Sequence, residues 1–250
     1  SYVFKRQFGV SPSKYRTAYE KNEKYNYNTE STKSFINSFF PLIPSMAWDR
    51  MVKSISEISN YKKHVPMQAD IVVTGKCHCN CWHCFRSKYV NKDEMTLENI
   101  KKCITSLYNL GTSTIGITGG EPMIRKDIYE IIKLIPKGVE WQLYTTGHNI
   151  DENFAAKLKD TNLTRCIISL DNYKEDVVCK LRNNKNAFVD ALTAIKALVK
   201  YNIYTAVTVC VTEELLVDEE LYKYIKFVTN LGVQEIRIVM QIPQGKLEGK

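Results

Sequence analysis

The 250-residue chain contains no run of about 18 apolar residues, the length a helix needs to cross a bilayer, so no membrane-spanning helix is expected. Its first residues, SYVFKRQFGV, have neither the apolar core nor the cleavage site of a secretory leader, and the protein is expected in the cytoplasm. Neither sign of charge dominates. The 35 Lys and Arg against 27 Asp and Glu leave a net +8, which permits an anionic partner but is usually a solvated face. What the chain does have is 44% hydrophobic residues, enough for one large buried core with a small appendage.

A second, separated pair of closely spaced cysteines is also missing. Of the eight cysteines, Cys77, Cys79, Cys81 and Cys84 crowd with His78 and His83 into GKCHCNCWHCF, residues 75–85. In a reducing compartment such crowding indicates metal or redox chemistry rather than disulfides. Cys103, Cys166, Cys179 and Cys210 are scattered, three of them in apolar or periodic segments where cysteine acts as a small buried hydrophobe. The spacing Cys77-x3-Cys81-x2-Cys84 lets three thiolates turn inward from one short loop and hold three corners of an iron–sulfur cubane, with one iron left open. Zinc is the rival metal, although structural zinc usually closes its tetrahedron with two separated pairs. Cys81-Trp-His-Cys84 also has the spacing of a thioredoxin-like redox pair, but the following FRSKYVNKD reads as a loop rather than a helix.

From about residue 69 short β-rich runs alternate with longer helical ones. Strands are expected at 70–74, 114–118, 141–145, 165–170, 204–211 and 235–240. Helical faces recur at Leu97, Ile100, Ile104 and Leu107, at Phe188, Leu192, Ile195 and Val199, and at Leu221, Ile225 and Val228. Strand–helix alternation implies parallel strands with right-handed crossovers, hence an α/β fold built as an open or closed barrel. Chemistry in such folds sits on the loops after the strands' C-terminal ends, and the cysteine loop directly follows strand one. Strand two ends in ITGGEP, residues 117–122. There Gly119 and Gly120 let a ligand approach the backbone, and Glu121 suits an ammonium group. A bulky side chain at Gly120 is expected to crowd that ligand and leave the thiolates alone, because they sit on another loop.

These residues resemble the radical S-adenosylmethionine (SAM) superfamily. The cysteine loop, TGGEP, YTTG at 144–147, ISLD at 168–171, KLRN at 180–183 and PQG at 243–245 occur in that family's order. The resemblance implies a partial (β/α)6 TIM-like barrel with a short helical N-terminal segment, and a [4Fe–4S] cluster bound by Cys77, Cys81 and Cys84. It implies SAM held by Gly119, Gly120, Glu121, Pro122, Ser169 and Arg182, with Phe85 and 209–211 near the adenine. It also implies a small-molecule or peptide substrate and an electron donor such as flavodoxin or ferredoxin. Cys79 departs from the pattern and is read as a bystander, and His78 and His83 as loop packing.

The opening FKRQFGVSPSKYR resembles the end of an AraC-type helix-turn-helix domain. The expected organisation is a remnant of that domain at 1–22, a polar linker at 23–34, an accessory helical segment at 35–65, and a radical SAM core at 66–250 whose C-terminal end is truncated. DNA binding is expected only through a complete N-terminal domain. A DNA-binding regulator fused to a radical SAM-type domain and a structural zinc protein are the alternatives.

Overall fold

The computed structural model describes residues 40–43, 45–61, 64–89 and 94–249. The helix-turn-helix remnant and the linker lie outside the described residues.

Six strands, β1 (Gln68–Thr74), β2 (Thr114–Gly119), β3 (Glu140–Thr145), β4 (Leu163–Ser169), β5 (Thr205–Cys210) and β6 (Glu235–Val239), form one sheet in chain order. Every neighbouring pair is parallel. β1 and β6 form its two edges, so the barrel is partial, as the α/β reading requires.

Alternation along the strands sorts the side chains onto two faces of different chemistry. Ile117, Leu143 and Cys166 pair straight across the sheet, and with Ile71, Val73, Ile115, Trp141, Ile168, Val207 and Val209 they belong to the buried core. That face packs on the helices. The opposite face carries Asp70, Gln142 and Arg165 in register. Further along it the Arg237 guanidinium stands 6.0 Å from the Tyr144 ring. One wall of the sheet is therefore apolar and filled, and the other is polar.

The helices form where the periodicity places them. α1 (Met46–Tyr61) comes first, then α2 (Leu97–Leu110) between β1 and β2. α2 starts behind Thr96, whose hydroxyl accepts from the Asn99 amide at 3.2 Å, and stops at Gly111 with φ 107°, a left-handed value that favours glycine. α3 (Ile128–Lys133) and α4 (Glu152–Lys159) follow β2 and β3. After β4 the expected single helix is instead two, α5 (Glu175–Arg182) and α6 (Ala187–Lys200). The break is local: Asn183 adopts φ 47° and ends α5, and the Asn184 side chain accepts from the Asn186 amide at 2.9 Å as the chain turns into α6. Short α7 (Glu213–Leu216) and longer α8 (Glu220–Asn230) separate β5 from β6.

Within the accessory segment, α1 builds its own small core from Ile43, Trp48 and Met51. Polar contacts fasten it beneath the sheet. Arg50 Nε donates to the Thr112 carbonyl at 2.8 Å, Ser54 Oγ to that of Gly111 at 2.9 Å, and the Leu42 amide to Glu140 Oε1 at 2.9 Å. These lie at the N-terminal ends of β2 and β3, the end away from the cysteine loop. Leu143→Ala would leave a cavity at the centre of the filled face, since Leu143 is fully buried in β3. A loss of about 2–5 kcal/mol is expected, read as a lower denaturation midpoint.

Candidate functional site

The loop from Gly75 to Phe85 has little regular structure of its own, so its backbone groups depend on neighbours for partners. α5 supplies one set. The Asn80 amide donates to the Arg182 carbonyl at 3.0 Å and the Trp82 amide to that of Leu181 at 3.1 Å, which uses carbonyls a helix end leaves free. Asn184 adds a side-chain bond to the His78 carbonyl at 3.5 Å. The segment after β6 supplies another. Lys246 donates its amide to the Cys84 carbonyl at 3.2 Å and its ammonium to the Asn80 carbonyl at 2.9 Å. The far side of the loop is thus tied to the last strand's connection across the open edge of the sheet.

Within this clamp the Cys79 amide donates to the Cys77 sulfur at 3.4 Å, and the Cys79 sulfur lies 3.6 Å from His78 Nε2 and accepts from Asn184 Nδ2 at 3.5 Å. The nearby Cys79 thiol is the leading reason Cys77 and Cys81 fall below the ordinary thiol pKa, while Cys79 itself rises. Cys84 is pushed up by burial. All eight cysteines are free thiols. Cys79, read as a bystander, therefore has contacts to Cys77, His78 and Asn184 that loop spacing alone does not reveal.

Arg182 is buried at the end of α5. Its guanidinium pairs with Asp171 at 2.7 Å and lies 3.7 Å from Cys81 Sγ. Burial opposes its charge, but Asp171 and Cys81 outweigh burial and raise its pKa. Asp171 Oδ1 in turn accepts from the Cys210 amide at 3.1 Å, which fixes the carboxylate at the ends of β4 and β5.

The TGGEP turn faces the same loop but is occupied differently from the expectation. Glu121 is fully buried, and its carboxylate accepts from Thr145 Oγ1 at 2.6 Å, from the Thr146 amide and hydroxyl at 2.7 Å each, and from the Met123 amide at 3.1 Å. Burial still pushes its pKa up. The side chain thus joins the ends of β2 and β3. Pro122 is buried behind it as the first residue of a 3-10 turn. The glycines serve a close backbone approach: Gly120 donates to the Thr74 carbonyl at 2.8 Å and Glu121 to that of Lys76 at 2.8 Å. A Cβ on Gly120 would stand 2.3 Å from the Lys76 carbonyl oxygen. The expectation that a larger residue at Gly120 spares the thiolates is therefore corrected, because the contacted backbone runs directly into Cys77. Ser169 is partly exposed at the end of β4, and Phe85 is 54% exposed at the end of the loop.

The model of the radical SAM superfamily matches residues 71–228. The chain belongs to that superfamily. A probable GTP 3′,8-cyclase of Pyrococcus horikoshii is 30% identical over 176 residues, covering 70% of this chain and 56% of the relative. An AdoMet-dependent heme synthase of Oleidesulfovibrio alaskensis is 27% identical over 181 residues, covering 70% and 45%. The crystal structure of Streptococcus suis SuiB bound to precursor peptide SuiA shares the fold, with a TM-score of 0.68 at 12% identity over 95% of this chain and 55% of that one. The chain spans about half the length of these relatives.

Radical SAM proteins are enzymes that use a [4Fe–4S] cluster and S-adenosylmethionine. The donor chemistry here fits that cluster, since soft thiols on one loop, two of them acidified, lie beside a buried guanidinium. Asp171, Thr146 and Lys246 were not foreseen as site residues. Asp171 and Thr146 stand inside the ISLD and YTTG stretches, and Lys246 directly follows PQG, so position gave a signal but pairing did not. Gly120→Ala should displace residues 75–77, lowering thermal stability and quickening alkylation of Cys77 measured by mass spectrometry. Wild-type values for both would count against the glycine's role in holding the loop.

Proposed function

We propose that this chain is the catalytic core of a radical SAM enzyme in which Cys77, Cys81 and Cys84 hold the cluster and Gly119, Gly120, Glu121, Pro122, Ser169, Arg182 and Phe85 surround the SAM site. The observation that carries the reading is the cysteine loop over the C-terminal ends of an open parallel sheet, with Arg182 against the Cys81 sulfur. When bound, the cluster and SAM supply a one-electron reductive cleavage that yields methionine and a 5′-deoxyadenosyl radical able to abstract hydrogen from substrate.

The chain's own residues supply position, charge and shelter. Arg182 places a permanent positive charge beside one thiolate, and Asp171 keeps that guanidinium from turning away. Glu121 draws the ends of β2 and β3 together, which sets the main chain at 119–121 against the cysteine loop. The carbonyls of that segment are the groups suited to an ammonium, because two of its amides are already used. The polar wall with Asp70, Tyr144 and Arg237 suits a polar substrate entering at the open edge between β1 and β6. We infer a peptide or a cofactor precursor, in keeping with a relative named as a GTP cyclase, another as a heme synthase, and a structural neighbour solved with a precursor peptide. The electron is supplied by a small carrier such as flavodoxin or ferredoxin. Free thiols suit a reducing compartment, and we place the protein in the cytoplasm.

The reading is tested by anaerobic reconstitution with iron and sulfide, then incubation with SAM and a strong reductant. Visible cluster absorption and slow release of 5′-deoxyadenosine are expected. Alanine at Cys77, Cys81 or Cys84 should bring both to background, whereas Cys79→Ala should retain both. Loss with Cys79→Ala and retention with one of the other three would overturn the ligand set. A colourless protein holding zinc on these cysteines would overturn the activity.

A further inference from the structure

His78, read from the sequence as loop packing, places Nε2 3.6 Å from Cys79 Sγ in its own loop and also reaches toward two residues that the radical SAM reading does not use. Its ring stacks on that of His148, with centroids 4.0 Å apart and 27° between planes. Both histidines address one carboxylate oxygen. His148 Nδ1 lies 2.9 Å from Asp190 Oδ2 and His78 Nε2 lies 3.7 Å from the same atom. The three ligand atoms fall within 4.8 Å of one another, and all three residues are half-buried. They come from the loop after β1, the turn after β3 and the first turn of α6, so only the fold brings them together.

We propose that His78, His148 and Asp190 form a second metal site, for zinc or a similar borderline divalent ion, beside the cysteine loop. The donor types select the ion. Two imidazoles and one carboxylate suit zinc, whereas calcium and magnesium prefer all-oxygen shells and the iron–sulfur loop offers sulfur. Zinc–nitrogen and zinc–oxygen bonds of about 2.0–2.1 Å put neighbouring tetrahedral ligands about 3.3 Å apart, and the stacked rings must turn for both nitrogens to face one ion. The observed 2.9 and 3.7 Å stand on either side of that value. A hydrogen bond accounts for the 2.9 Å contact of His148 with Asp190, while His78 Nε2 stands 3.7 Å from the same oxygen and 3.6 Å from Cys79 Sγ. Three protein ligands leave the fourth position open to water or an exogenous donor. The ion would tie the cysteine loop to the end of β3 and the start of α6 on the side that the segment after β6 does not reach.

The test uses anaerobic protein with its cluster loaded, so that Cys77, Cys81 and Cys84 are engaged, and in parallel its Cys79→Ala variant, which removes the remaining thiol of the loop, both titrated with cobalt(II) as a spectroscopic stand-in for zinc. One equivalent should bind, giving ligand-field absorption without thiolate-to-cobalt charge transfer, and zinc should displace it. His148→Ala and Asp190→Ala should weaken cobalt binding on the order of a hundredfold while iron content stays at the wild-type value. His148→Gln, which keeps a donor for Asp190 but is a poor ligand, should lose cobalt in the same way, which separates ligation from folding. Iron content is read independently, so failure of the cluster assignment is distinguishable from failure of this one. Absence of bound cobalt in the wild type, a thiolate charge-transfer band, or wild-type affinity in the His148→Gln protein would each overturn the site.

Discussion

The amides of Asn80 and Trp82, donating to the last carbonyls of α5, set the position of the cysteine loop on which the candidate site is built. A loop of this length with little regular structure gains few partners from itself, while a helix end presents carbonyls that need donors. Each shortage satisfies the other. The same helix end carries Arg182, so the register that aligns the amides also delivers a guanidinium to the Cys81 sulfur. Asp171 then matters twice, as the counter-ion of that guanidinium and as the acceptor for the Cys210 amide.

The ends of the first strands are joined by a second buried carboxylate. Among the described residues no cation pairs with Glu121; four hydrogen bonds from Thr145, Thr146 and Met123 surround it instead. Such a group is costly to bury and is held only because its donors are fixed by the adjoining strand end. Breaking that set would release the turn that carries Gly119 and Gly120, and with it the backbone that supports Lys76 and Cys77. Stability and the candidate site share these bonds. The polar wall of the sheet is a separate matter, since its charged residues stand on strands whose other faces already complete the core.

The strands and most helices were legible in the sequence because their periodicities are local. A two-residue alternation decides which face a side chain takes, and a 3.6-residue repeat decides which stripe of a helix is buried. Of the two helices after β4 the first, α5, was less legible, because its short polar run carries no clear apolar repeat and a left-handed Asn183 divides it from α6. The cysteine spacing and TGGEP marked the site for the same local reason. Spacing along a loop limits which thiols can converge, but it does not say where a sulfur points, and the contacts of Cys79 with Cys77, His78 and Asn184 depend on the clamp around the loop.

By itself, then, the sequence determined the parallel α/β class, the strand on whose end the chemistry sits, and the donor types available there, because each follows from patterns within a few consecutive residues. Tertiary structure alone decided the partners across long separations: Arg182 with Asp171 and Cys81, Glu121 with Thr145 and Thr146, Lys246 with Asn80, and His78 with His148 and Asp190. Side-chain type specifies what a residue can bind. Which charge or donor comes within 3–4 Å of it is set by how helices and loops are packed onto the sheet, and no local pattern encodes that.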